Sequence, residues 1–206
     1  MQKKDFESLD CVDHVELVTV NRPTYTPNDP YWNAQYGLEL IQADLAYDLW
    51  NIDAGDFPGT MESGEMVVGI VDNSLEWDHP DLVNNIWQNL GEDADGDGVV
   101  IVQSGGNWIF DPGDVNGIDD DGDNYVGWDV SFNDNDPMPV NNQYDHGTNV
   151  AGCVSASTNN GTGIASVGWS VKLMGINSTD DPGFVTDGYS GILAAGQMGA
   201  DVINLS

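Results

Sequence analysis

Three segments of the chain carry side chains able to move a proton, and two more are dense in oxygen ligands. His146 opens the run His146-Gly-Thr-Asn-Val-Ala-Gly152, which reads as the first turns of a helix. A helix N-terminus carries partial positive charge, which disfavours imidazolium and keeps the ring available as a base. Asp72 directly follows the apolar run Met66-Val-Val-Gly-Ile-Val71, and His79-Pro-Asp-Leu82 comes seven residues on. Each of these has a plain alternative: a turn aspartate, a histidine packed in a Pro/Asp turn, a histidine satisfied at a helix start. The oxygen-rich segments are Asp93-Ala-Asp-Gly-Asp97 and Asp119-Asp-Asp-Gly-Asp123, one D-x-D-G-D pattern repeated 26 residues apart.

Asp93, Asp95 and Asp97, followed by Gly98, place carboxylates at alternate positions of a tight loop, as in the first half of an EF-hand. The twelfth position is Ser104 where an EF-hand carries Glu, so the loop is not one. Asp119, Asp121 and Asp123 repeat the arrangement, with the carbonyl of Tyr125 available. Carboxylates crowded together with no Lys or Arg near them in sequence are costly unless a divalent cation intervenes. Hard oxygen ligands in flexible loops favour calcium over zinc. A merely solvated acidic loop is the competing reading.

Regular elements must position these groups. Leu38, Ile41, Leu45 and Leu49 recur at spacings of three and four, which predicts one helix with a single apolar stripe. Residues 66–71 form a continuous apolar run, as expected of a strand buried on both faces. Residues 91–142 are rich in Asp, Asn and Gly and read as an acidic insertion. Beyond them the pattern predicts a helix over 146–156, a strand over 171–176, a helix over 187–198 and a strand over 202–205. Alternating strands and helices of this kind imply an α/β fold with a parallel sheet flanked by helices. In such sheets functional groups gather beyond the carboxyl ends of the strands, where Asp72 stands. Cys153, seven residues after His146, is expected to be a small core residue, although its position also places a thiol near the base.

Composition narrows the function classes. The 206 residues include 4 Lys and Arg against 35 Asp and Glu, a formal net charge of −31. Apolar residues make up 40%, enough for a core, so the acidity does not signal disorder. No Lys or Arg lies between residues 23 and 171, which argues against nucleic acid and against anionic lipid surfaces. No apolar run reaches membrane-span length. Two cysteines allow at most one bridge. No signal peptide is visible at the start of the chain.

Taken together, Val-Asp72-Asn-Ser, His-Pro-Asp-Leu82, Asp-His146-Gly-Thr-Asn-Val-Ala-Gly and Gly199-Ala-Asp-Val-Ile-Asn-Leu-Ser206 resemble the subtilase family of serine proteases, in the family's order and over nearly the whole chain from about Asn28. The resemblance implies a subtilisin-like fold with Asp72 as the triad aspartate and His146 as the general base. Asp72 would accept one imidazole N–H, and the other ring nitrogen would take the proton of a serine. Two departures are local: Asn73-Ser74 stands where Ser/Thr-Gly is usual, and Asn149 where a second histidine is frequent. A larger one is that no Gly-Thr-Ser-Met-Ala-like nucleophile segment is present. The expectation is therefore an N-terminal part of a catalytic domain, truncated before the serine and inactive alone.

The same resemblance implies that residues 1–27, with the strand-like His14-Val-Glu-Leu-Val-Thr-Val20 and a Pro-rich link, are the end of an inhibitory propeptide, and that 28–206 belong to the catalytic domain. An ordinary N-terminal arm is the alternative. By resemblance too, Asp129 with Asn133-Asp-Asn-Asp136 is similar to a further calcium loop of some members, and Asp81 with Asn160 to ligands of a site joining the HPDL segment to the loop after the histidine helix. The implied protein is a secreted, calcium-stabilised protease zymogen whose partners are polypeptide substrates, calcium ions and its own propeptide. Two other classes compete: a non-catalytic calcium-binding module on a degenerate scaffold, and a metal-dependent hydrolase ligated by His79, Asp81, His146 and Asp72.

Overall fold

The computed structural model describes residues 25–61, 64–115, 125–181 and 184–206. The strand-like segment 14–20, Cys11 and Asp119, Asp121 and Asp123 lie outside the described residues. The apolar run after Met66 forms β1, Val67–Asp72, and all six of its residues are buried. Along the chain follow β2 (Ile101–Ser104), β3 (Asn107–Phe110), β4 (Gly127–Asp129), β5 (Lys172–Asn177) and β6 (Val202–Leu205). β4, β5, β1 and β6 lie side by side in that order, and each neighbouring pair is parallel. The α-helices among the described residues are α1 (Tyr36–Leu40), α2 (Ala43–Tyr47), α3 (His146–Ser155) and α4 (Gly188–Gln197).

Side chains alternate across a strand, and β1 shows why its run is unbroken in hydrophobicity. Val68 and Ile70 pack into one core with Leu173 and with Ala151 of α3. Val67 and Val71 point into another with Met174, Ile176 and Ala195 of α4. The two helices thus cover opposite faces. Burying a Val or Ile side chain in this way contributes about 1.5–3 kcal/mol. Close approach on the α4 side depends on Gly191, where a Cβ would stand 2.1 Å from Ser178 Oγ and 2.6 Å from Val71 Cγ1. β1, β5, β6, α3 and α4 all lie within one or two residues of the sequence reading.

Three expectations are corrected. The stripe of Leu38, Ile41, Leu45 and Leu49 does not make one helix. The chain breaks at Gln42, which adopts φ +58, and divides into α1 and α2. The break turns the chain and resets which residues face inward. Leu38, Ala43 and Tyr47 are buried against Trp169, while Ile41 and Leu45 are exposed and Leu49 is 84% exposed. Tyr47 dominates this choice: its ring meets Trp169 edge-on at 4.9 Å, and its hydroxyl donates to Ser166 O at 2.6 Å.

Second, residues 91–142 are not irregular throughout. β2 and β3 form an antiparallel hairpin closed by Gly105 and Gly106, both at positive φ as a type I′ turn requires. β4 is an edge strand of the main sheet. The Asp/Asn/Gly density hid two short apolar stretches, Val99-Val-Ile-Val102 and Trp108-Ile-Phe110. Third, Cys153 is exposed rather than in the core. The buried face of α3 is Gly147, Ala151, Gly152 and Ser155, and Cys153 falls off that face.

The Tyr47 contact has a measurable consequence. Tyr47→Phe removes the donor to Ser166 O and should lower unfolding free energy by about 1 kcal/mol at neutral pH. Burial first, then the charges of Asp29 and Asp44, push the Tyr47 phenol up to about 12, against about 10 in an unfolded chain. The unfolded state therefore sheds this proton first, and wild-type stability falls as pH rises from 10 towards 12. Urea denaturation across that range should show the fall reduced in Y47F. An identical pH profile for the two proteins would contradict it.

Candidate active site

Asp72 is the last residue of β1, and the parallel register sets its level. It pairs with Asn177 of β5, and its carbonyl accepts from Ser178 N at 2.8 Å. The loop that follows is stitched to the start of α3. Asp145, just before the helix, makes no side-chain capping bond; Asn73 Oδ1 instead accepts from Gly147 N at 3.0 Å. Ser74 Oγ donates to Tyr144 O, and Glu76 N donates to Thr148 Oγ1 at 2.9 Å. Tyr144 is itself tied across the sheet end, its hydroxyl donating to Asp180 O at 2.7 Å.

These bonds bring His146 onto Asp72. Nδ1 of the imidazole lies 2.8 Å from Asp72 Oδ1 and 3.0 Å from Oδ2. The carboxylate is 1% exposed and the imidazole 57% exposed, so a buried acceptor holds a ring whose other side meets solvent. Asp72 has two further donors: its neighbour's Asn73 N at 2.7 Å to Oδ1 and Ser206 Oγ at 2.9 Å to Oδ2. A carboxylate so surrounded has one orientation, and it fixes the ring in turn. The arrangement selects Nδ1 as the protonated nitrogen and leaves Nε2 as an acceptor for a proton from a reacting group.

His79, Asp81, His146 and Asp72 do not form a metal-ligating group among the described residues. His79 Nδ1 accepts from Asp81 N at 3.1 Å. Asp81 and Asn160 do meet across the fold, with Asn160 Nδ2 donating to Asp81 Oδ1 at 2.9 Å and Ile164 N donating to Oδ2 at 2.9 Å. Asn160 Oδ1 accepts from Thr162 N at 2.7 Å, and Asp29 accepts from the N–H groups of Asn159 and Asn160. This is a hydrogen-bonded clamp between the HPDL turn and the loop after α3.

Asp129 and Asp136 each have separate partners. Asp129 accepts from Ser131 N, Phe132 N and Asn177 Nδ2. Burial pushes its carboxyl above the ordinary range, against the lowering effect of those donors. Asp136 Oδ1 accepts from Trp77 Nε1 and Met138 N, each at 3.2 Å. In the acidic segment, Asp93 and Asp95 converge, but with Asp114 and not with Asp97. Asp97 Oδ1 instead accepts from Val99 N at 3.0 Å. Loss of hydration, then the like charges of Asp97, Asp114 and Asp111, push Asp95 above the usual carboxylate range, while the Asp97 N–H lowers it.

Sequence reasoning missed three residues here. Asn73 was visible as a departure after Asp72 but not as the cap of α3. Ser206 is brought to Asp72 because β6 runs parallel beside β1, with Val71 opposite Leu205. That neighbour relation is set by strand order, which the sequence does not print. Asp114 stands alone in Asp-Pro-Gly-Asp114, outside either repeat.

Residues 63–206 match the profile of the Subtilase family. Halolysin of Haloferax mediterranei is 30% identical over 198 residues, covering 96% of this chain and 30% of the relative. The thermophilic serine proteinase of Bacillus sp. strain AK1 is 30% identical over 198 residues, 95% of this chain and 37% of the relative. A halolysin-like extracellular serine protease of Natrialba magadii is 26% identical over 206 residues, 99% of this chain and 30% of the relative. The chain thus spans 30 to 37% of the length of these curated relatives.

The packing at the helix start makes a direct test. A Cβ on residue 147 would lie 2.0 Å from Ser74 O and 2.8 Å from Asp72 Cβ. Gly147→Ala should therefore cost about 3 kcal/mol in thermal or urea unfolding. A variant as stable as wild type would show that the loop after β1 and α3 are not locked together.

Proposed function

We propose that this chain, which belongs to the subtilase family, supplies the aspartate and the general base of a serine endopeptidase that cleaves polypeptides through an acyl-enzyme. The observation that carries this reading is the contact of buried Asp72 with the exposed imidazole of His146. His146 Nε2 takes the proton of the attacking serine hydroxyl as its oxygen bonds to the scissile carbonyl carbon. Asp72 stabilises the imidazolium, which then gives the proton to the leaving amine as the C–N bond breaks. Water, activated by the same ring, releases the acyl group. None of these 206 residues is assigned the role of the serine nucleophile or of an oxyanion donor, so they are expected to be inactive alone.

The substrate reading has local support. A cleft lined by Val185, Thr186, Gly188, Tyr189, Leu205 and Ser206 opens beside the hydroxyl that meets Asp72. Its largely apolar walls suit side chains of an extended peptide. Secretion is proposed from the relatives, one of which is named as extracellular. No helix among the described residues is long and apolar enough to cross a membrane. Residues 1–27 are proposed as the end of an inhibitory propeptide, and calcium as the stabilising cofactor of the acidic segment. Among the described residues Asp81, Asp129 and Asp136 do not converge with other acidic groups, whereas Asp93 and Asp95 do, so the cofactor proposal rests first on those two.

In the longer protein that includes the nucleophile, His146→Ala should lower kcat on an unfolded polypeptide by about 10⁴-fold or more. Turnover within tenfold of wild type would remove His146 from the role of base.

A further inference from the structure

The carboxylates of Asp93, Asp95 and Asp114 offer ligand oxygens that lie within 4.8 Å of one another. Acidic groups often crowd at surfaces, so the convergence alone decides nothing. Asp114 is different in kind. It is 1% exposed, and its Oδ2 is a buried oxygen with no hydrogen-bond partner. Its Oδ1 is fully engaged, accepting from Ala94 N at 2.9 Å and Asp95 N at 3.3 Å. These two bonds hold Asp114 against the Asp93–Asp95 loop. A buried carboxylate oxygen left without a donor is costly unless something outside the protein serves it.

The surroundings fit a cation. Asp93 accepts from Gly96 N and Asp97 N at Oδ1 and from Gly98 N at Oδ2, which curls the loop around it. Gly98 takes φ +93, the turn an EF-hand loop makes at its sixth position. On the other side, a Cβ at Gly113 would stand 2.2 Å from Asp95 Oδ2, so the glycine leaves the space that this carboxylate occupies. Among the described residues, Lys172 is the one Lys or Arg, and it sits at Glu65 and Asn84 O. No protein cation among them serves the cluster.

We infer that Asp93, Asp95 and Asp114 form a calcium-class cation site, in which Asp114, from a separate turn, closes a half EF-hand loop in place of the missing twelfth-position glutamate. Asp97 is not a side-chain ligand of this site. Asp114 is anchored from behind, its carbonyl accepting from Tyr125 OH at 3.1 Å. Tyr125 stacks on Phe110 at 5.1 Å, and Phe110 on Trp77 at 4.9 Å. The ion would therefore fasten the acidic loop to the β2–β3 hairpin and to the segment that follows Asp72. This deepens the cofactor part of the function proposed above and is independent of whether the protein hydrolyses peptides.

The test is calcium titration of the full 206-residue chain, freed of metal by chelation, followed by calorimetry and by competition with terbium. The Tyr125 phenol is close enough to Asp114 to sensitise terbium emission from this site. Wild type should bind calcium and melt at higher temperature with it. Asp95→Asn changes an exposed carboxylate and should weaken binding about tenfold or more without lowering the metal-free melting temperature. Asp114→Asn keeps an acceptor for Ala94 N and Asp95 N and should do the same, whereas Asp97→Asn should bind as wild type does.

Should Asp114→Asn fail to fold, Asp95→Asn against Asp97→Asn decides alone. Wild type that binds no calcium overturns both the site and the cofactor reading. Calcium binding that survives Asp95→Asn and Asp114→Asn but is lost on changing Asp119, Asp121 and Asp123 overturns this site and leaves the cofactor reading standing. Loss on Asp97→Asn equal to that on Asp95→Asn overturns the exclusion of Asp97.

Discussion

Parallel pairing of β1 with β5 on one side and β6 on the other is the constraint on which the site depends. It places the carboxyl ends of three strands at one level, so that Asp72, Ser178 and Ser206 meet there. The register is itself held by apolar burial: β1 is covered on both faces, and a slip of one residue would exchange its two cores. The strength of hydrophobic packing thus becomes precision in a polar contact. A buried carboxylate needs its donors placed to within tenths of an ångström. The three donors to the Asp72 carboxylate come from an adjacent residue, the end of a neighbouring strand and a helix start.

The chain manages its negative charge in two ways. Around Asp81, Asp129 and Asp136, backbone and amide N–H groups supply the compensation, and each carboxylate acts as a fastener between loops. Around Asp93 the donors run out before the carboxylates do, and Asp114 Oδ2 is the oxygen left over. The contrast explains why sequence density of Asp is a poor guide to ligation. What distinguishes a cation site is the unserved oxygen, which is a property of the folded loop.

Much of the fold was legible because periodicity reports burial. The run at 66–71 read as a doubly buried strand and is one, and the helix beginning at His146 starts where expected. The stripe over 38–49 misled because periodicity assumes an unbroken helix, whereas Gln42 breaks it and Tyr47 finds the better contact. For the site, Asp72 and His146 were visible through local motifs. Ser206, Asn73 and Asp114 were not, since their roles come from strand order, loop stitching and a turn 20 residues distant in the chain.

The protonation state of one ring bears most directly on the pairing of Asp72 with His146. The chain has three histidines, so the nitrogen-coupled proton spectrum of His146 can be assigned by substitution of the other two. With the imidazole neutral, the Nδ1–H tautomer is expected, with that proton far downfield from its bond to Asp72 and shifted upfield in Asp72→Asn. A ring protonated on Nε2, or an Nδ1 signal that is unaffected by Asp72→Asn, would contradict it.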